Sequence, residues 1–555
     1  MKSLKYYILG LVASAGVLTS CDQDFVDINK NPDSVYEVDP VSFLYKIEDQ
    51  MYTAGEAWSD AYACRLIWMQ YCTNHWYRNT TFTDVAGFGN NLYRAYNEVG
   101  KYTRHIPYYI KSYLPDDMES YSDLIEVSKV LLITKGIQAT DTYGSLVYTE
   151  GWGARGENTD MVEPKFETQE ELFTLWNEEL KNAAQKLSSS SNQKSIAAYD
   201  VAYKGDVSKW VKATNAVRLR LALRLWKRNP ELAKSIAKEV LNSGQIFEGT
   251  ADGLVFYFDN FWVTRGDWQS VKALDRASHA FMGYLKKYND PRKRLYFYKN
   301  NLTPETIAEY NANPANKTRQ IPTDLTEWEG ATVNADEQND DPRYIKRSMG
   351  STDMQVANKL QVRMFKASEN QGNGGGWIPI LTYADFCFMA AEFTLEGVEN
   401  TKSAQQWYEE GVKSSLKHWS AMGDYCKIFD YQAVTDAEID AFMAQEGIAW
   451  ADDVETQKQQ IYCQTFVDDF KNTNECWAMY RRTNYPNTES KFITWEEVKV
   501  NGELQRVPRR NKFSAPAAGI PNYENEVKRF EEMSKDPDFG RLDDEYGRVW
   551  WDVKK

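Results

Sequence analysis

The chain has 555 residues and a formal net charge of −15 at pH 7. Nucleic acids and anionic membranes select proteins with clustered Lys and Arg, so this acidic balance argues against both as partners. Neutral or cationic ligands fit the charge better. The length suits several ordinary domains or one large helical array with an ample core, and length alone does not choose between them.

The N-terminus carries an export signal. Lys2 and Lys5 precede an apolar stretch over residues 6–18, which is too short to span a bilayer as a mature helix. The stretch ends in Leu18-Thr19-Ser20-Cys21, which resembles the lipobox at which bacteria attach acyl chains. The alternative, an ordinary signal peptide with an incidental cysteine, requires small residues and Cys21 to coincide at the cleavage site.

These features predict a lipoprotein signal peptide over residues 1–20, a lipidated tether over 21–40 and one domain over 41–555. Each buried methylene of an acyl chain contributes roughly 0.8 kcal/mol, and stable anchoring needs about two chains. A Cys21 that carries several acyl chains such as palmitate would hold the protein at a membrane without a transmembrane helix.

Apolar residues at three- to four-residue spacing predict consecutive helices. A capping box at Thr168-Gln169-Glu170-Glu171 opens a helix to about residue 187, and a second helix covers 210–226. A third begins at Asn229-Pro230 and stops at Gly244. Another pair covers 381–395 and 404–419. We therefore predict a mainly α fold of helix pairs, similar to tetratricopeptide units, with long loops and a few short β-hairpins.

Strand signals are few and the connecting segments are long. Period-two alternation predicts short strands at 254–258 and at 492–500, the latter with Val507. The turn-rich segments 300–338 and 369–376 are predicted to be loops, and long loops in compact proteins are usually functional or mobile. We expect the binding surface there.

Neither the cysteines nor the histidines suggest a metal site or a cofactor. After Cys21 the cysteines are at 64, 72, 387, 426, 463 and 476, without a Cys-x-x-Cys pair, and the four histidines are scattered. Cys387 and Cys463 have apolar neighbours, which favours small buried thiols, so no disulfide is predicted.

Five blocks in order resemble the SusD/RagB family. They are Ala139 to Gly144 followed by Val147 to Glu150, Lys209 to Arg224, Leu381 to Phe386 with Ala390-Ala391-Glu392, Glu475 to Thr483 with Pro486, and Val549 to Asp552. The family often continues Asp-Val-Pro-Tyr after the glycine, whereas this chain has Ser145-Leu146-Val147-Tyr148. Most of these blocks are interpreted as fold-setting; Arg481 and Arg482, for example, are expected to pair with acids.

The resemblance implies a nutrient-binding lipoprotein of the outer membrane that faces the cell exterior. It implies a helical lid on a SusC-like, TonB-dependent transporter, which holds oligosaccharides or peptides for import and performs no chemistry. The alternatives are peptide capture in place of glycan capture, a purely structural or adhesive surface protein, and a surface glycoside hydrolase.

Aromatic residues in polar, non-periodic stretches are the candidates for ligand contact. Trp and Tyr number 18 and 35, and a flat ring with a polar group suits the apolar C–H face and the hydroxyls of a sugar. The candidate residues are Trp76, Tyr77, Arg78, Asn79, Trp262, Arg265, Trp268, Trp328 and Trp377, and Asp259 and Asn260 could add hydrogen bonds. For each of them packed structure or a solvated loop is the alternative. Three rings that each supply ~1.2 kcal/mol predict binding near millimolar.

A catalytic function has no positive signal in the sequence. A glycoside hydrolase needs two carboxylates about 5 to 9.5 Å apart, but 80 acidic residues guarantee incidental pairs. Motifs for serine hydrolases, zinc proteases and nucleotide binding do not occur. The acidic run 336–341 lacks the alternating ligands of an EF-hand calcium loop, so a solvated charge run is the simpler interpretation.

Overall fold

The fold consists mainly of helices that begin at capping residues. The computed structural model describes residues 38–74, 82, 88–155, 160–258, 275–318, 320–338, 340–343, 347–349, 352–354, 356–365 and 375–554. The helices are α1 (Ser42–Asp49), a π-helix (Glu56–Arg65), α2 (Leu66–Trp68), α3 (Asn90–Tyr113), α4 (Ser122–Tyr143), α5 (Gln169–Ser189), α6 (Val207–Leu225), α7 (Pro230–Leu241), α8 (His279–Lys287), α9 (Lys293–Tyr296), α10 (Pro304–Ala312), α11 (Val362–Phe365), α12 (Tyr383–Leu395), α13 (Ala404–Tyr425), α14 (Asp436–Met443), α15 (Val454–Asp468), α16 (Thr473–Thr483) and α17 (Tyr523–Met533). Short 3-10 turns lie at Pro115–Tyr121, Gly153–Arg155, Thr250–Asp252, Pro314–Asn316 and Asp469–Lys471.

The predicted helices and their caps are confirmed. Thr168 accepts a hydrogen bond from the Glu171 backbone N–H, and the Glu171 side chain accepts one from Thr168 N–H, which completes the capping box of α5. Asn229 caps α7, whose first residue is Pro230. Successive helices pack as pairs, namely α3 with α4, α5 with α6, α6 with α7 and α12 with α13. The mainly α, helix-pair prediction is therefore confirmed.

The strands form two-stranded ribbons. They are β1 (Cys72–Asn74), β2 (Leu254–Phe258), β3 (Asp275–Ala277), β4 (Arg347–Met349), β5 (Thr352–Met354), β6 (Gly376–Leu381), β7 (Lys499–Val500) and β8 (Glu503–Leu504). They pair antiparallel as β1–β3, β2–β6, β4–β5 and β7–β8. The strand predicted at 254–258 is confirmed as β2.

The strand predicted over 492–500 is wrong except at its end, where β7 pairs with β8. Phe492, Ile493 and Trp495 are buried, but their backbone is irregular. The Ile493 N–H donates to the Tyr485 hydroxyl and the Trp495 N–H to the Asn487 carbonyl oxygen, in place of a continuous neighbouring strand. The Glu496 N–H, for example, donates to Gln70 Oε1 at 3.0 Å.

The segment 300–338, predicted as a loop, contains helix α10. Its buried residues Leu302, Ile307, Tyr310 and Ile321 form a small apolar cluster with Val356, separate from the main core. Thr303 caps α10 and Pro304 is its first residue. This Thr-Pro pair is a helix start signal, but the turn-rich composition of the segment led to a loop prediction. The acidic run 336–341 also has hydrogen-bond partners from a distant part of the chain, since Asp336 accepts hydrogen bonds from Asn501 and Gly502 N–H.

The main apolar core extends from Val41 to Trp551. The six cysteines after Cys21 are all buried, as predicted for Cys387 and Cys463. None of the described helices combines the length and apolarity that crossing a bilayer requires.

Helix α6 carries buried arginines that tie it to its neighbours. Arg224 Nη2 lies 2.9 Å from Asp141 on α4 and 2.8 Å from Glu475 on α16. Arg220 lies 3.3 Å from Asp385 on α12 and 3.4 Å from Glu475. Burial acts to raise the pKa of Glu475, but the two guanidinium groups outweigh it and the net pKa lies below the ordinary value. Three helices are thus held to α6 by charge.

Replacing Arg224 with Met is expected to lower the free energy of unfolding by about 3–5 kcal/mol, because Asp141 loses its closest cation and Glu475 loses one of two. Chemical denaturation measures the change. The control is Arg541→Met, since Arg541 is 82% exposed and its ion pair with Asp543 should not affect stability measurably. Equal stability of the two variants would contradict the proposed importance of the buried pair.

Candidate functional site

An open cleft of about 560 Å³ lies where Trp68, Gln70 and Phe82 meet the C-terminal part of the chain. We call it the aromatic cleft. The rings that line it are Trp68, Phe82, Tyr480, Trp495 and Tyr546. Its polar lining includes Gln70, Asn487, Thr488, Glu496, Glu497, Gln505, Arg506, Arg509, Asp538, Asp544 and Arg548. Rings together with hydrogen-bonding groups make a surface that can bind a ligand with both apolar and polar faces.

The rings of the cleft are held in place by their neighbours. Tyr480 and Trp495 have ring centroids 5.0 Å apart with planes at 34°. The guanidinium group of Arg506 lies 4.0 Å from the centroid of the Tyr546 ring, and no described carboxylate pairs with Arg506. Burial raises the pKa of Tyr546 above its ordinary value, so its hydroxyl stays neutral and can donate a hydrogen bond.

The C-terminal Trp-Trp-Asp block fixes the cations of the cleft. Arg509 donates two hydrogen bonds to the buried Asp552 carboxylate, at 2.8 and 2.7 Å. Arg548 donates a third, at 2.7 Å. The neighbouring Trp551 ring lies 4.4 Å from the guanidinium group of Arg481. This geometry confirms the interpretation of the block as fold-setting, and it shows that the block also positions two arginines at the cleft.

Glu496 attaches one wall of the cleft to the rest of the protein. Its carboxylate contacts His279 Nδ1 at 3.0 Å and accepts hydrogen bonds from Thr332 Oγ1 at 3.0 Å and Val333 N–H at 2.9 Å. Its backbone exchanges two hydrogen bonds with the Gln70 amide, at 2.8 and 3.0 Å. Burial acts to raise the pKa of Glu496, but the bonds from His279, Val333 and Thr332 outweigh it and lower the pKa below its ordinary value.

Most of the predicted site residues lie outside the described residues. These are Cys21, Trp76, Tyr77, Arg78, Asn79, Asp259, Asn260, Trp262, Arg265 and Trp268. The flanks of these segments are described. Asn74, the last residue of β1, pairs with Asp275, the first residue of β3. Segment 75–81 therefore begins, and segment 259–274 ends, at the same end of this ribbon. Gln70 and Phe82, on either side of 75–81, both line the aromatic cleft.

Trp328 and Trp377, the two predicted site residues that the structure describes, have different surroundings. Trp377 is 1% exposed, and its ring lies 4.9 Å from that of Trp419 and 5.2 Å from that of His418. A ring buried in this way does not fit the predicted role of an exposed ligand platform; the apolar strand β6 carries it into the core. Trp328 is 8% exposed and lines a separate cleft of about 270 Å³ beneath Lys293.

Sequence reasoning missed Tyr480, Trp495, Arg506 and Tyr546 as a set. Tyr480 belongs to a block interpreted as fold-setting, and Trp495 to a predicted strand. Phe82 and Tyr546 are 464 positions apart in the numbering, and only the folded chain brings their neighbourhoods together. The one available signal was the density of aromatic and charged residues after position 480.

Residues 32–513 match the sequence model of the SusD-like family, which is described as "Starch-binding associating with outer membrane". The chain therefore belongs to the SusD-like family, and the resemblance seen in the sequence is confirmed. No curated protein matches the chain.

Solved structures share the fold. A chitin-binding protein is 21% identical with a TM-score of 0.70, and the match covers 93% of this chain and 100% of that one. A SusD-like protein from Bacteroidetes is also 21% identical, with a TM-score of 0.67 and coverage of 93% and 100%. A chitin-binding SusD homologue from Flavobacterium johnsoniae is 18% identical, with a TM-score of 0.65 and coverage of 93% and 99%.

The Glu496 carboxylate is expected to stabilise the fold most at neutral pH. Because its folded pKa lies below that of the unfolded chain, its contribution is complete above the unfolded pKa and is lost as the pH falls through the folded pKa. Glu496→Gln should lower the free energy of unfolding by about 1 kcal/mol at neutral pH. Denaturation should show that this difference shrinks between about pH 5 and about pH 3.

The matched control is Glu497→Gln, because the Glu497 side chain is 58% exposed. It should change neither the stability at neutral pH nor its pH dependence. A Glu496→Gln difference that persists unchanged in acid would refute the assignment to the ionised carboxylate.

Proposed function

We propose that the protein captures oligosaccharides in the aromatic cleft for nutrient uptake and does not cleave them. The observation that carries the proposal is the lining of the cleft, which combines the rings of Tyr480, Trp495 and Tyr546 with amide, guanidinium and carboxylate groups. Sugar rings present apolar C–H faces and a rim of hydroxyls, so they match such a surface. Membership of a family described as starch-binding supports the same ligand class.

The chemistry of Glu496 supports binding without catalysis. A glycosidase general acid must hold its proton near neutral pH, so its pKa has to be raised. The pKa of Glu496 is shifted in the opposite direction, and its carboxylate is already occupied by His279, Thr332 and Val333. This residue serves to hold the wall of the cleft.

We further propose that Cys21 is lipidated and tethers the protein to the outer membrane, facing the cell exterior. The lipobox-like Leu18-Thr19-Ser20-Cys21 and the family description support this location. The partner is proposed to be a SusC-like, TonB-dependent transporter. Capture near millimolar affinity suffices for a lid over a pore, since the transporter can enclose the other face of the ligand.

Tyr546→Ala is expected to weaken oligosaccharide binding by about fivefold to tenfold, because it removes a ring face worth ~1.2 kcal/mol. Titration calorimetry with starch and chitin oligosaccharides, with product analysis of each mixture, measures binding and any cleavage. Tyr546→Phe tests the hydroxyl alone. Trp76→Ala extends the test to the segment that Gln70 and Phe82 flank.

The control is Tyr523→Ala, because Tyr523 is 36% exposed and is not part of the cleft lining. Equal binding by Tyr546→Ala and the parent protein would place the ligand elsewhere. Binding of peptides and not of glycans would select peptide capture, and product formation would overturn the non-catalytic proposal.

Cys21→Ser is expected to abolish incorporation of a palmitate label and to release the protein from the membrane fraction. The reason is that an acyl anchor at this residue would supply the membrane affinity. Metabolic labelling followed by fractionation measures both effects. Cys64→Ser is the control, because Cys64 is buried and should leave labelling unchanged; label retained by Cys21→Ser would exclude this anchor.

A further inference from the structure

Another cleft, of about 350 Å³, lies between the first turn of α5 and the end of α17. We call it the Trp550 cleft. The residues of its lining that bear on ligand binding are Ser145, Gln169, Glu170, Arg228, Pro537 and Trp550. Sites for small ligands have volumes of roughly 300–1,000 Å³, so the cleft is large enough to hold one.

The Trp550 ring is partly exposed, and its neighbours fix its orientation. It meets the buried Phe173 ring edge to face, with centroids 6.2 Å apart and planes at 69°. The Arg228 guanidinium group lies 5.5 Å from the Trp550 ring centroid and donates to the Trp550 carbonyl oxygen. An aromatic surface held in one orientation suits the apolar C–H face of a sugar.

Gln169 has a buried acceptor atom without a partner. The residue is 2% exposed, and its Nε2 donates to the carbonyl oxygen and the hydroxyl oxygen of Thr140, at 2.9 Å each. These bonds fix the orientation of the amide, because the Thr140 carbonyl oxygen can only accept. Oε1 then has no partner among the described residues. A donor that reached this atom would satisfy a group whose burial is otherwise unfavourable.

Ser145 adds a hydroxyl next to Gln169. It is 3% exposed, and no described residue hydrogen-bonds to its side chain. The backbone bridge between Leu146 and Glu167 places Ser145 beside Thr168, the residue before Gln169. This hydroxyl stands at the first position where the sequence departs from the family's usual Asp-Val-Pro-Tyr. The cleft therefore has two neighbouring polar groups that are free to bind a ligand.

The first turn of α5 supplies donors to the same cleft. The N–H groups of Gln169 and Glu170 have no acceptor within the helix, because they lie at its start. Hydroxyl groups both donate and accept, whereas carboxylates only accept and ammonium groups only donate. A lining that has both unpaired donors and unpaired acceptors therefore fits the hydroxyls of a ligand best.

Most of the charged groups at the Trp550 cleft already have partners. Arg228 pairs with Asp536, and Lys535 pairs with Glu532 at 2.5 Å. Glu170 is the remaining charged residue of the described lining, and it is exposed to solvent. The lining therefore offers no concentrated charge to an ionic ligand, which favours a neutral saccharide.

The Trp550 cleft and the aromatic cleft are neighbours. Pro537 lines both of them. Tyr546 lines the aromatic cleft, and Trp550, four residues further along the chain, lines the other. An extended chain spans at most about 3.6 Å per residue, so the Cα atoms of these two residues lie no more than about 14 Å apart. A ligand of several sugar units can therefore contact both rings.

A turn at residues 536–539 separates the two clefts. The Phe539 N–H donates to the Asp536 carbonyl oxygen at 3.0 Å, and the Asp538 N–H donates to Asp536 Oδ1 at 3.0 Å. The Arg548 N–H donates to the Asp538 carbonyl oxygen at 2.8 Å and ties the turn to the C-terminal segment. Pro537 occupies the second position of the turn, where its ring fixes φ. The distance between the two clefts is therefore set by the fold.

We propose that the Trp550 cleft is a second saccharide site, which continues the aromatic cleft across Pro537. The protein then selects neutral oligosaccharides that are long enough to occupy both clefts. This inference rests on the function proposed for the aromatic cleft. Trp550 contacts the C–H face of one sugar unit, while Ser145 and Gln169 bind its hydroxyls. Two weak sites that hold one ligand give a higher affinity than either site alone.

The test is calorimetric titration of the full-length protein in detergent with maltotriose and maltoheptaose, and with chitotriose and chitohexaose. In the series that binds, the longer oligosaccharide should bind at least about tenfold more tightly, because two linked contacts act together. Ser145→Ala should weaken binding of the longer ligand by about fivefold, the effect of one lost hydrogen bond, and leave the trimer unchanged. Trp550→Leu should show the same pattern with a loss of about tenfold.

Ser189→Ala and Trp450→Leu are the matched controls, because both residues lie outside the two linings. Ser189 is exposed at the opposite end of α5, and Trp450 is partly exposed. Neither control should change the affinity for a short or a long oligosaccharide. Chemical denaturation checks that Trp550→Leu is folded. Ser145→Ala removes a single oxygen atom, so it keeps the test valid if Trp550→Leu does not fold.

A length advantage that Ser145→Ala reduces supports the inference. Equal affinity for short and long oligosaccharides would overturn the second site, and trimer binding that Tyr546→Ala weakens would still leave the aromatic cleft as the capture site. A length advantage that Ser145→Ala and Trp550→Leu both leave intact would also overturn the inference. Trimer binding that depends on Ser145 and not on Tyr546 would overturn the function proposed for the aromatic cleft and, with it, the linked arrangement.

Discussion

Charge buried on helix α6 constrains the arrangement of the helices around it. An unpaired guanidinium group in the core lowers the stability of the fold by several kcal/mol. Each neighbouring helix therefore has to place a carboxylate at the matching position along its axis. Asp141, Asp385 and Glu475 meet this requirement from α4, α12 and α16. Apolar packing alone would tolerate a helix that slides or rotates, whereas these ion pairs do not. The position of α16 that results also places Tyr480 at the wall of the aromatic cleft.

The same principle operates at the C-terminus on a smaller scale. The buried Asp552 carboxylate accepts hydrogen bonds from Arg509 and Arg548, so two long and flexible side chains have defined positions at the cleft. Glu496 does the equivalent for its part of the cleft wall by binding His279 and the Val333 backbone N–H. The aromatic cleft is thus preorganised by acids that are themselves already paired, which leaves Arg506 and the rings to meet a ligand.

The sequence by itself determined the helix pairs, their caps, the family and the pairing of Arg481 and Arg482 with acids, because these features depend on local spacing or on recognisable blocks. The sequence could not show which tryptophans are buried in the core and which line a cleft. Trp377 follows a glycine-rich stretch and seemed exposed, yet β6 carries it into the core. Trp495 seemed to belong to a strand, yet it lines the cleft. Exposure is decided by contacts between residues hundreds of positions apart, and only the tertiary structure specifies them.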